Sequence, residues 1–516
     1  MVIVRRALVA IYVFHVGLGT ASAEPRNLSL RDALQLAIEH NADLYVTRSN
    51  TDIATDELNA ASAIFDPHLV LNARYGHDKE LGGPVRFAWT DSAVVGSAEI
   101  RGLTGVGTTY SIGVAENYDK YLSQFVTIYA PAYTTSLNLV VTQPLLRNAG
   151  STANHAAIVV SSLRRDLSEQ QLRVKLEAII GEVEVAYWSL ALANNEVAAR
   201  ESSLKIAKEQ INDSQRLVKI GTISDLDLVE AQAGVDREQQ TLLQAKQQVI
   251  EAEGRLRVLI IGAPAWKPDD TLVPTDDPAV ANMSMSLDEH VALARKNRPD
   301  VLAAIAQVKA ETAALGITSN DARPQLDLIF SGSLLGFAGH LDENSGVTNG
   351  STGFTGDPNA MGGGATALGN LAAGDYMVSV GLRLDLPLSN DAAKARDQRQ
   401  RHTLQRAQLA QQSVGQQLDN EVRTTVALLV SNAALQQSAD ATVKTNEKLL
   451  AGMRKRFAAG AVTSYDVLRV ADELTRSQIG AARAHVSYRI SLARLATADG
   501  TLLDKYKVTL ASLRGR

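Results

Sequence analysis

The feature that most constrains this sequence is an internal repeat. One copy begins at Leu28-Ser29-Leu30 and the other at Met285-Ser286-Leu287, and each carries a proline, Pro67 or Pro324, at the same distance from its start. Both copies run in one order: short helices, an alternating segment, a Gly-rich excursion, a second alternating segment and a very long helical pair. Because such repetition governs the whole fold, we expect one internally duplicated, pseudo-symmetric body.

The repeat sets the expected boundaries along the 516 residues. We predict a first structural repeat over residues 24–262 and a second over residues 285–500, with the same order of elements. Residues 263–284 carry four prolines and are expected to form the linker between the copies. Residues 501–516 are expected to form a C-terminal tail.

The N-terminal residues 1–23 are typical of a secretory signal peptide. Arg5 and Arg6 form a basic start, an apolar stretch follows, and Ala21-Ser22-Ala23 is a small-residue cleavage site. An ordinary N-terminal helix is the alternative. No other stretch offers 18 uninterrupted apolar residues, so we expect no helix that spans a membrane.

Composition and motifs argue against an enzyme and against a nucleic-acid partner. The formal net charge is −5, which leaves no basic footprint for nucleic acid, and the chain has no cysteine. No HExxH, GxSxG or GxxxxGK[ST] motif occurs. The glycines Gly102, Gly105 and Gly107 precede a strand rather than a helix, so they make no nucleotide fingerprint. We expect no catalytic residue, no metal and no cofactor.

Several segments alternate with a period of two, which predicts strands with one apolar and one polar face. The clearest lies in the second copy, where apolar side chains at 378, 380, 382, 384 and 386 oppose polar or small ones at 379, 381, 383 and 385. Two strands per copy are evident. A further candidate hairpin lies at residues 93–117. Residues 332–374 contain Gly362-Gly363-Gly364 and predict a surface loop.

Two stretches predict helices of unusual length. Residues 152–219 and 391–459 contain no proline, and each is followed, after a glycine, by a helical segment of roughly 35 residues. A helix of roughly 65 residues is on the order of 100 Å long. Such rods must pack against each other as coiled coils.

Strands with an apolar face, a signal peptide and no membrane helix favour an outer-membrane β-barrel. Four strands cannot close around a pore, so several chains must share one barrel. The alternative is a soluble periplasmic scaffold or adaptor protein, in which a small sandwich buries the apolar strand face beside a coiled-coil stalk.

The ordered set of motifs resembles the TolC family of outer-membrane channel proteins, over nearly all of the chain after the signal peptide. The motifs are the Ser29, Leu30, Ala33, Leu34, Ala37 start, Asp66-Pro67, Thr142-Gln143-Pro144-Leu145-Leu146 and the two helix-hairpin tips at 216–232 and 456–472. The resemblance implies a mixed α/β fold: a homotrimeric β-barrel of twelve strands in outer-membrane lipid, continued by a helical coiled-coil barrel in the periplasm. It also implies a passive exit duct for an inner-membrane pump, joined by a periplasmic adaptor, in efflux or type I secretion. Whether the hairpin at 93–117 adds strands to that barrel stays open.

The two tips have matching sequences, Gly221-Thr222-Ile223-Ser224-Asp225-Leu226-Asp227 and Gly460-Ala461-Val462-Thr463-Ser464-Tyr465-Asp466. A sufficient structural explanation is a glycine helix end followed by a capping box, in which Ser224 or Thr463 pairs with the aspartate three residues on.

The resemblance adds a functional role for the same turns. It implies that they close the periplasmic end and receive the adaptor, with Asp466 lining the aperture and Asp227 at the corresponding outer position. Where the family has a second aspartate, this chain has Arg469; Val462 and Phe457 also depart from the family pattern. We therefore expect a mixed-charge aperture, with adaptor contacts at Gly221, Thr222, Ser224, Gly460, Ala461 and Thr463.

Overall fold

The computed structural model describes residues 25–80, 89–120, 122–123, 129–220, 223–260, 271–278, 286–341, 362–372, 374–459 and 461–508. The chain divides into two compact units. The helical unit comprises Met1–Thr47, Leu172–Pro299 and Gln416–Arg516, and the sheet unit comprises Arg48–Gln171 and Asp300–Gly415. Each unit therefore takes segments from both sequence repeats.

The helices of the described residues keep the order that the repeat predicts. They are α1 (Leu30–His40), α2 (Ala42–Ser62), α3 (Ser151–Lys219), α4 (Asp225–Ile260), α5 (Leu287–Asn297), α6 (Pro299–Asp321), α7 (Gly364–Gly369), α8 (Asp391–Ala458), α9 (Ser464–Ala498) and α10 (Leu502–Tyr506). The long pairs match closely, because α3 and α8 have 69 and 68 residues while α4 and α9 have 36 and 35. The prediction of two very long helical pairs is confirmed.

The strands of the described residues form two sheets. They are β1 (Pro25–Leu28), β2 (His68–Glu80), β3 (Trp89–Leu103), β4 (Thr109–Asp119), β5 (Leu122–Ser123), β6 (Tyr129–Pro144), β7 (Thr271–Pro274), β8 (Gln325–Leu341) and β9 (Asp375–Asp385). The large sheet of the sheet unit has the order β2-β3-β4-β6-β8-β9, with the short β5 beside β3. All of its neighbours run antiparallel.

The large sheet answers the question that the sequence left open at residues 93–117. That segment lies in β3 and β4, which pair along their length with β2 and β6 rather than outside the sheet. The expectation of four strands from each chain is therefore wrong for this sheet, which has six long ones. The physical reason is that β3 and β4 alternate like their neighbours and can complete the same ladder.

The prediction of an irregular loop over residues 332–374 is also wrong for the part that the structure describes. Strand β8 continues to Leu341, and helix α7 packs on the sheet with Ala367 fully buried. One cause is the absence of a side chain at Gly336, beneath α7. Gly336 lies so close to the α7 backbone at Ala367 that a Cβ there would collide with it.

In the helical unit, a buried core forms around Tyr187 and Trp188 of α3, packed with residues of α1, α4 and β7. The parallel pair β1-β7 lies over it and brings a strand of the linker segment against the start of the first repeat. The Tyr187 hydroxyl lies 2.6 Å from Asp276 Oδ2 and 3.0 Å from the Leu28 carbonyl, and accepts from the amides of Thr275 and Asp276 at 3.1 and 3.2 Å. Burial raises the pKa of Tyr187 to about 12, so the hydroxyl stays protonated and able to donate.

One helix among the described residues is long and apolar enough to cross a membrane by length and composition. It is α6, whose most apolar window has a mean hydropathy of 1.3 and is only 6% buried. The expectation of no such helix rested on uninterrupted apolar runs, and Lys309 and Glu311 interrupt this one. The polar contacts of α6 include two with the part of α8 in the same unit, where Gln400 donates to Glu311 at 2.6 Å and Ser319 donates to Asp397 at 2.7 Å.

Candidate channel wall and periplasmic tips

One face of the large sheet is apolar across all six long strands. Because directly paired residues of neighbouring strands point to the same face, the pairing registers define rows that cross the whole sheet. One row reads Leu69, Ile100, Ile112, Leu139, Gly332 and Val378, and the next reads Leu71, Ala98, Val114, Leu137, Leu334 and Tyr376. Many of these side chains are exposed to solvent in the single chain, among them Leu69, Leu71 and Val378.

The opposite face is mostly polar. One row reads His68, Arg101, Ser111, Val140, Ser331 and Ser379, and the next reads Val70, Glu99, Gly113, Asn138, Ser333 and Met377. Hydrogen bonds join this face across strands, since Ser333 donates to Asn138 at 2.8 Å and Ser331 lies 2.7 Å from Ser379. An apolar outer face with a polar inner face is typical of an outer-membrane barrel wall.

The height of the apolar face fits a bilayer. On β9 the apolar side chains run from Leu384 near the helix-connected end to Tyr376, with Val380 in the middle. A tilted strand of about 9–11 residues crosses the outer membrane. Further from the end of β9 that leads to α8, the rings of Tyr118 and Tyr133 lie 5.2 Å apart, beside Gly364 of α7 and in the row that also contains Tyr75. Tyrosines at that level are typical of the aromatic girdle at a membrane interface.

The two tips, which lie in the helical unit, carry the same capping geometry. At the first, the Ser224 amide and hydroxyl donate to Asp227 at 2.9 and 2.8 Å, and the Asp227 amide donates to Ser224 at 3.3 Å. At the second, Thr463 and Asp466 repeat these bonds at 3.0, 2.8 and 3.2 Å. The capping boxes predicted from the sequence are therefore present at both tips.

The capping bonds also fix the charge of both aspartates. Donation from Ser224 lowers the pKa of Asp227 below its usual range. Donation from Thr463 lowers the pKa of Asp466 in the same way, and the positive charges of Arg469 and Arg456 lower it further. Both tips therefore present a carboxylate that stays ionised at neutral pH, and the second tip places positive charge beside it.

A small apolar core supports the second tip. Phe457, Val467 and Leu474 are buried there, and Val462 packs against them. The buried hydroxyl of Ser214 donates to Ser464 at 3.3 Å, which ties the end of α3 to the start of α9. Sequence reasoning missed this bond, since a serine within a helix carries no signal of its partner.

The predicted tip residues divide into two groups. Ser224, Asp227, Ala461, Thr463, Asp466 and Arg469 are described, and Gly221, Thr222 and Gly460 lie outside the described residues. Ala461 donates from its amide to the Arg456 carbonyl at 2.9 Å, which closes the end of α8. Arg469 lies in the second turn of α9. The charge of Arg456 on Asp466 was not foreseen, although both lie within the predicted tip.

The apolar face and the polar face of the large sheet are together typical of a channel-forming protein of the outer membrane. The family model "Outer membrane efflux protein" matches residues 33–262 and 291–501. The chain belongs to this family, and the two matched segments agree with the internal duplication. A search of curated protein sequences found no match.

Solved structures show the same fold. The outer-membrane channel OprN has a TM-score of 0.64 at 17% identity, covering 92% of this chain and 90% of its own. The Campylobacter jejuni CmeC outer membrane channel has 0.61 at 14%, with 92% and 86% covered. The open state of the Neisseria gonorrhoeae MtrE outer membrane channel has 0.57 at 17%, with 92% and 89% covered.

The family resolves the choice that the sequence left between a duct and a scaffold. The chain is an efflux channel protein of the outer membrane, with its helical part in the periplasm. The resemblance to the TolC family is confirmed, and the alternative of a soluble periplasmic scaffold is not supported.

Proposed function

We propose that three copies of this chain form the passive exit duct of a tripartite efflux or type I secretion system, joined by a periplasmic adaptor to an inner-membrane pump. The observation that carries the proposal is the apolar face that runs across six strands and ends at two sheet edges, β2 and β9. Such a face is costly in water, and such edges invite pairing. If further copies close the sheet into a barrel in the membrane, lipid covers the apolar face and the edge strands pair with those of the neighbouring copies.

The oligomer can be tested on the membrane protein itself. Outer membranes from cells expressing the full chain are extracted in detergent and sized by light scattering, before and after heating. We expect a heat-sensitive trimer in the outer-membrane fraction. A monomer or dimer that stays in solution without detergent would contradict the proposal and favour a soluble periplasmic scaffold protein.

We propose further that the tip of the second repeat lines the periplasmic aperture. In a trimer, Asp466 and Arg469 would each form a ring of three charges, and Asp227 would lie on the outer position of the same end. The lowered pKa of Asp466 supports a carboxylate that remains charged there. A carboxylate ring favours cations and can be blocked by them. The adaptor would contact the turns, at Gly221, Thr222, Ser224, Gly460, Ala461 and Thr463.

The tips offer a matched pair of variants for the aperture. Asp466→Ala and Asp227→Ala remove the same capping bonds, so their cost to the helix ends is similar. Only Asp466 is proposed to face the aperture. In planar bilayers, we expect Asp466→Ala to weaken the block by a trivalent cation at least tenfold and Asp227→Ala to weaken it much less.

Equal loss of block in the two variants would contradict the aperture assignment, because loosened tips would then explain both. The variant Arg469→Ala provides the opposite test. Removing a positive charge beside the carboxylate ring should strengthen cation block, so unchanged block in this variant would remove Arg469 from the aperture.

A further inference from the structure

We propose that each copy contributes six strands to the barrel, so that a trimer closes eighteen strands where the family pattern has twelve. The additional strands are β3 and β4, the hairpin that the sequence set apart. The inference rests on the proposed trimer, and the partner that completes the wall is a second copy of this chain. A pore with half as many strands again is about 1.5 times as wide.

The hairpin is paired throughout its length, as a wall strand must be. Strand β2 pairs with β3 from His68–Arg101 to Glu80–Trp89, and β4 pairs with β6 from Thr109–Thr142 to Asp119–Ala132. The described part of the sheet has no direct β2–β6 pairing. Removing the hairpin would break both ladders, each more than ten residues long.

Both faces of the wall continue through the hairpin. On the apolar face, β3 supplies Ala98 and Ile100 and β4 supplies Ile112 and Val114, in the same rows as the neighbouring strands. On the polar face the hairpin supplies charged and hydroxyl side chains, among them an ion pair of 3.4 Å between Arg101 and Glu99. A hairpin that folded outside the wall would have no reason to keep this register.

The turn of the hairpin is anchored at the base of the wall. The Gly150 amide, just before α3, donates to the Val106 carbonyl at 3.1 Å, and Thr108 donates to Gln143. Gly107 has φ +93°, where a side chain would be strained, and it approaches the Asn148 carbonyl too closely for a Cβ. These contacts hold the turn where β6 passes into α3.

Close packing pins the register within the hairpin. Gly102 pairs directly with Tyr110, whose ring covers it so closely that any Cβ would collide with the ring. Gly113 leaves only 2.8 Å between a Cβ and the carbonyl of Ala98. An aromatic side chain lying over a strand glycine is a device that fixes register in curved sheets.

Closure follows from the parity of the strands. With six antiparallel strands, the two edges β2 and β9 run in opposite directions. Edge β9 of one copy can therefore pair antiparallel with edge β2 of the next, and three copies close without a parallel seam. The edges are similar in length, at 13 and 11 residues.

Because the chain has no cysteine, introduced pairs give an unambiguous test. Asn72 on β2 donates to Ser97 on β3 at 3.2 Å, so the double variant Asn72→Cys with Ser97→Cys places two thiols within disulfide reach. In contrast, Ser136 on β6 lies in the same row but three strand spacings from Asn72, about 14 Å.

The variant Asn72→Cys with Ser136→Cys is thus the matched negative control. Ser331→Cys with Ser379→Cys, across β8 and β9, is the positive control, because both barrel sizes share that pair.

The measurement is made on trimers purified in detergent, by mass spectrometry of unreduced peptides after mild oxidation. We expect the Asn72–Ser97 variant to oxidise as fully as the positive control and the Asn72–Ser136 variant to stay reduced. A trimer that oxidises the Asn72–Ser136 pair, or leaves the Asn72–Ser97 pair reduced, would overturn the eighteen-strand wall while leaving the proposed function intact.

A second measurement needs no substitution. Electron cryomicroscopy of the unmodified trimer in lipid nanodiscs counts the strands directly, and we expect eighteen. Twelve strands would overturn this inference alone, whereas a chain that forms no trimer would overturn the proposed function together with it.

Discussion

An arginine placed on the lipid face of β9 should prevent assembly, whereas the same residue one position away should not. Val380 lies in the middle of the apolar face of this strand and is 69% exposed in the single chain. Ser379 points to the opposite, polar face, 2.7 Å from Ser331. The variants Val380→Arg and Ser379→Arg therefore introduce one charge on the same strand at nearly the same depth.

The magnitude follows from depth. An arginine on the lipid face costs about 2–4 kcal/mol at the bilayer midplane and about 0–1 kcal/mol near the interfaces. Val380 is at the centre of the span that runs from Leu384 to Tyr376, so Val380→Arg should cost roughly 30- to 700-fold in folding equilibrium per copy. Leu384→Arg, at the base of the strand, should lower the folding equilibrium constant by about fivefold or less. Ser379→Arg, on the polar, water-facing side of the strand, should change the folding equilibrium constant very little.

Urea titration of folding into lipid vesicles, read as the fraction of heat-sensitive trimer, measures all three variants. We expect the order Val380→Arg, Leu384→Arg, Ser379→Arg from most to least harmful. The reasoning would be refuted by equal effects of Val380→Arg and Ser379→Arg, since the two faces of β9 would then share one environment. A larger effect of Ser379→Arg than of Val380→Arg would mean that the polar face of β9, and not the apolar face, contacts lipid.

Three further predictions concern single residues. Tyr187→Phe should destabilise the protein by about 1–3 kcal/mol, because the Asp276 amide loses its acceptor and the Thr275 amide keeps only the Leu28 carbonyl. Tyr465→Phe on the exposed tip should change the denaturation midpoint little. The folded-state pKa of Asp466 is below its unfolded value, so its cap stabilises the tip above the unfolded pKa and is lost as pH falls through the folded pKa. The protection factors for amide hydrogen exchange at the tip, measured relative to the intrinsic exchange rates, should therefore fall only in strong acid and stay constant between about pH 5 and 8. Gly107→Ala should lower the yield of trimer, because its φ of +93° disfavours a side chain by about 1–2 kcal/mol, while Gly76→Ala, in open space, should not.

The helices were predictable because the signals that begin, continue and end a helix lie within the helix itself and the residues next to it. Proline-free stretches with glycine ends predict the long pairs almost to the residue, and the observed α3 and α8 begin and end within one residue of the predicted bounds. The tips were predictable for the same reason, since a capping box involves residues three apart. In Thr463 and Asp466, sequence spacing alone determines which atoms meet.

The sheet was only partly predictable, because strand membership depends on partners far away in the chain. The alternation at 93–117 showed strands but not their neighbours, and only pairing with β2 and β6 makes them part of the wall. Helix α7 was missed because glycine and alanine give no apolar signal, yet Gly336 creates the space that buries Ala367. At α7, a small residue acts by allowing another segment of the chain to approach closely, and composition does not reveal which segment that is.

The two repeats match in their helices and differ in their strands, and the difference has a physical logic. The long helices of the two pairs differ by one residue at most, whereas the first repeat supplies four long wall strands and the second supplies two. A hairpin is the smallest insertion that keeps the sheet antiparallel and leaves the direction of the following strand unchanged, since its two strands run in opposite directions. Adding one strand would reverse the direction of β6 and carry α3 away from the base of the wall. A pair leaves every helix connection in place, so the wall can widen in steps of two strands per copy without any change in the helices.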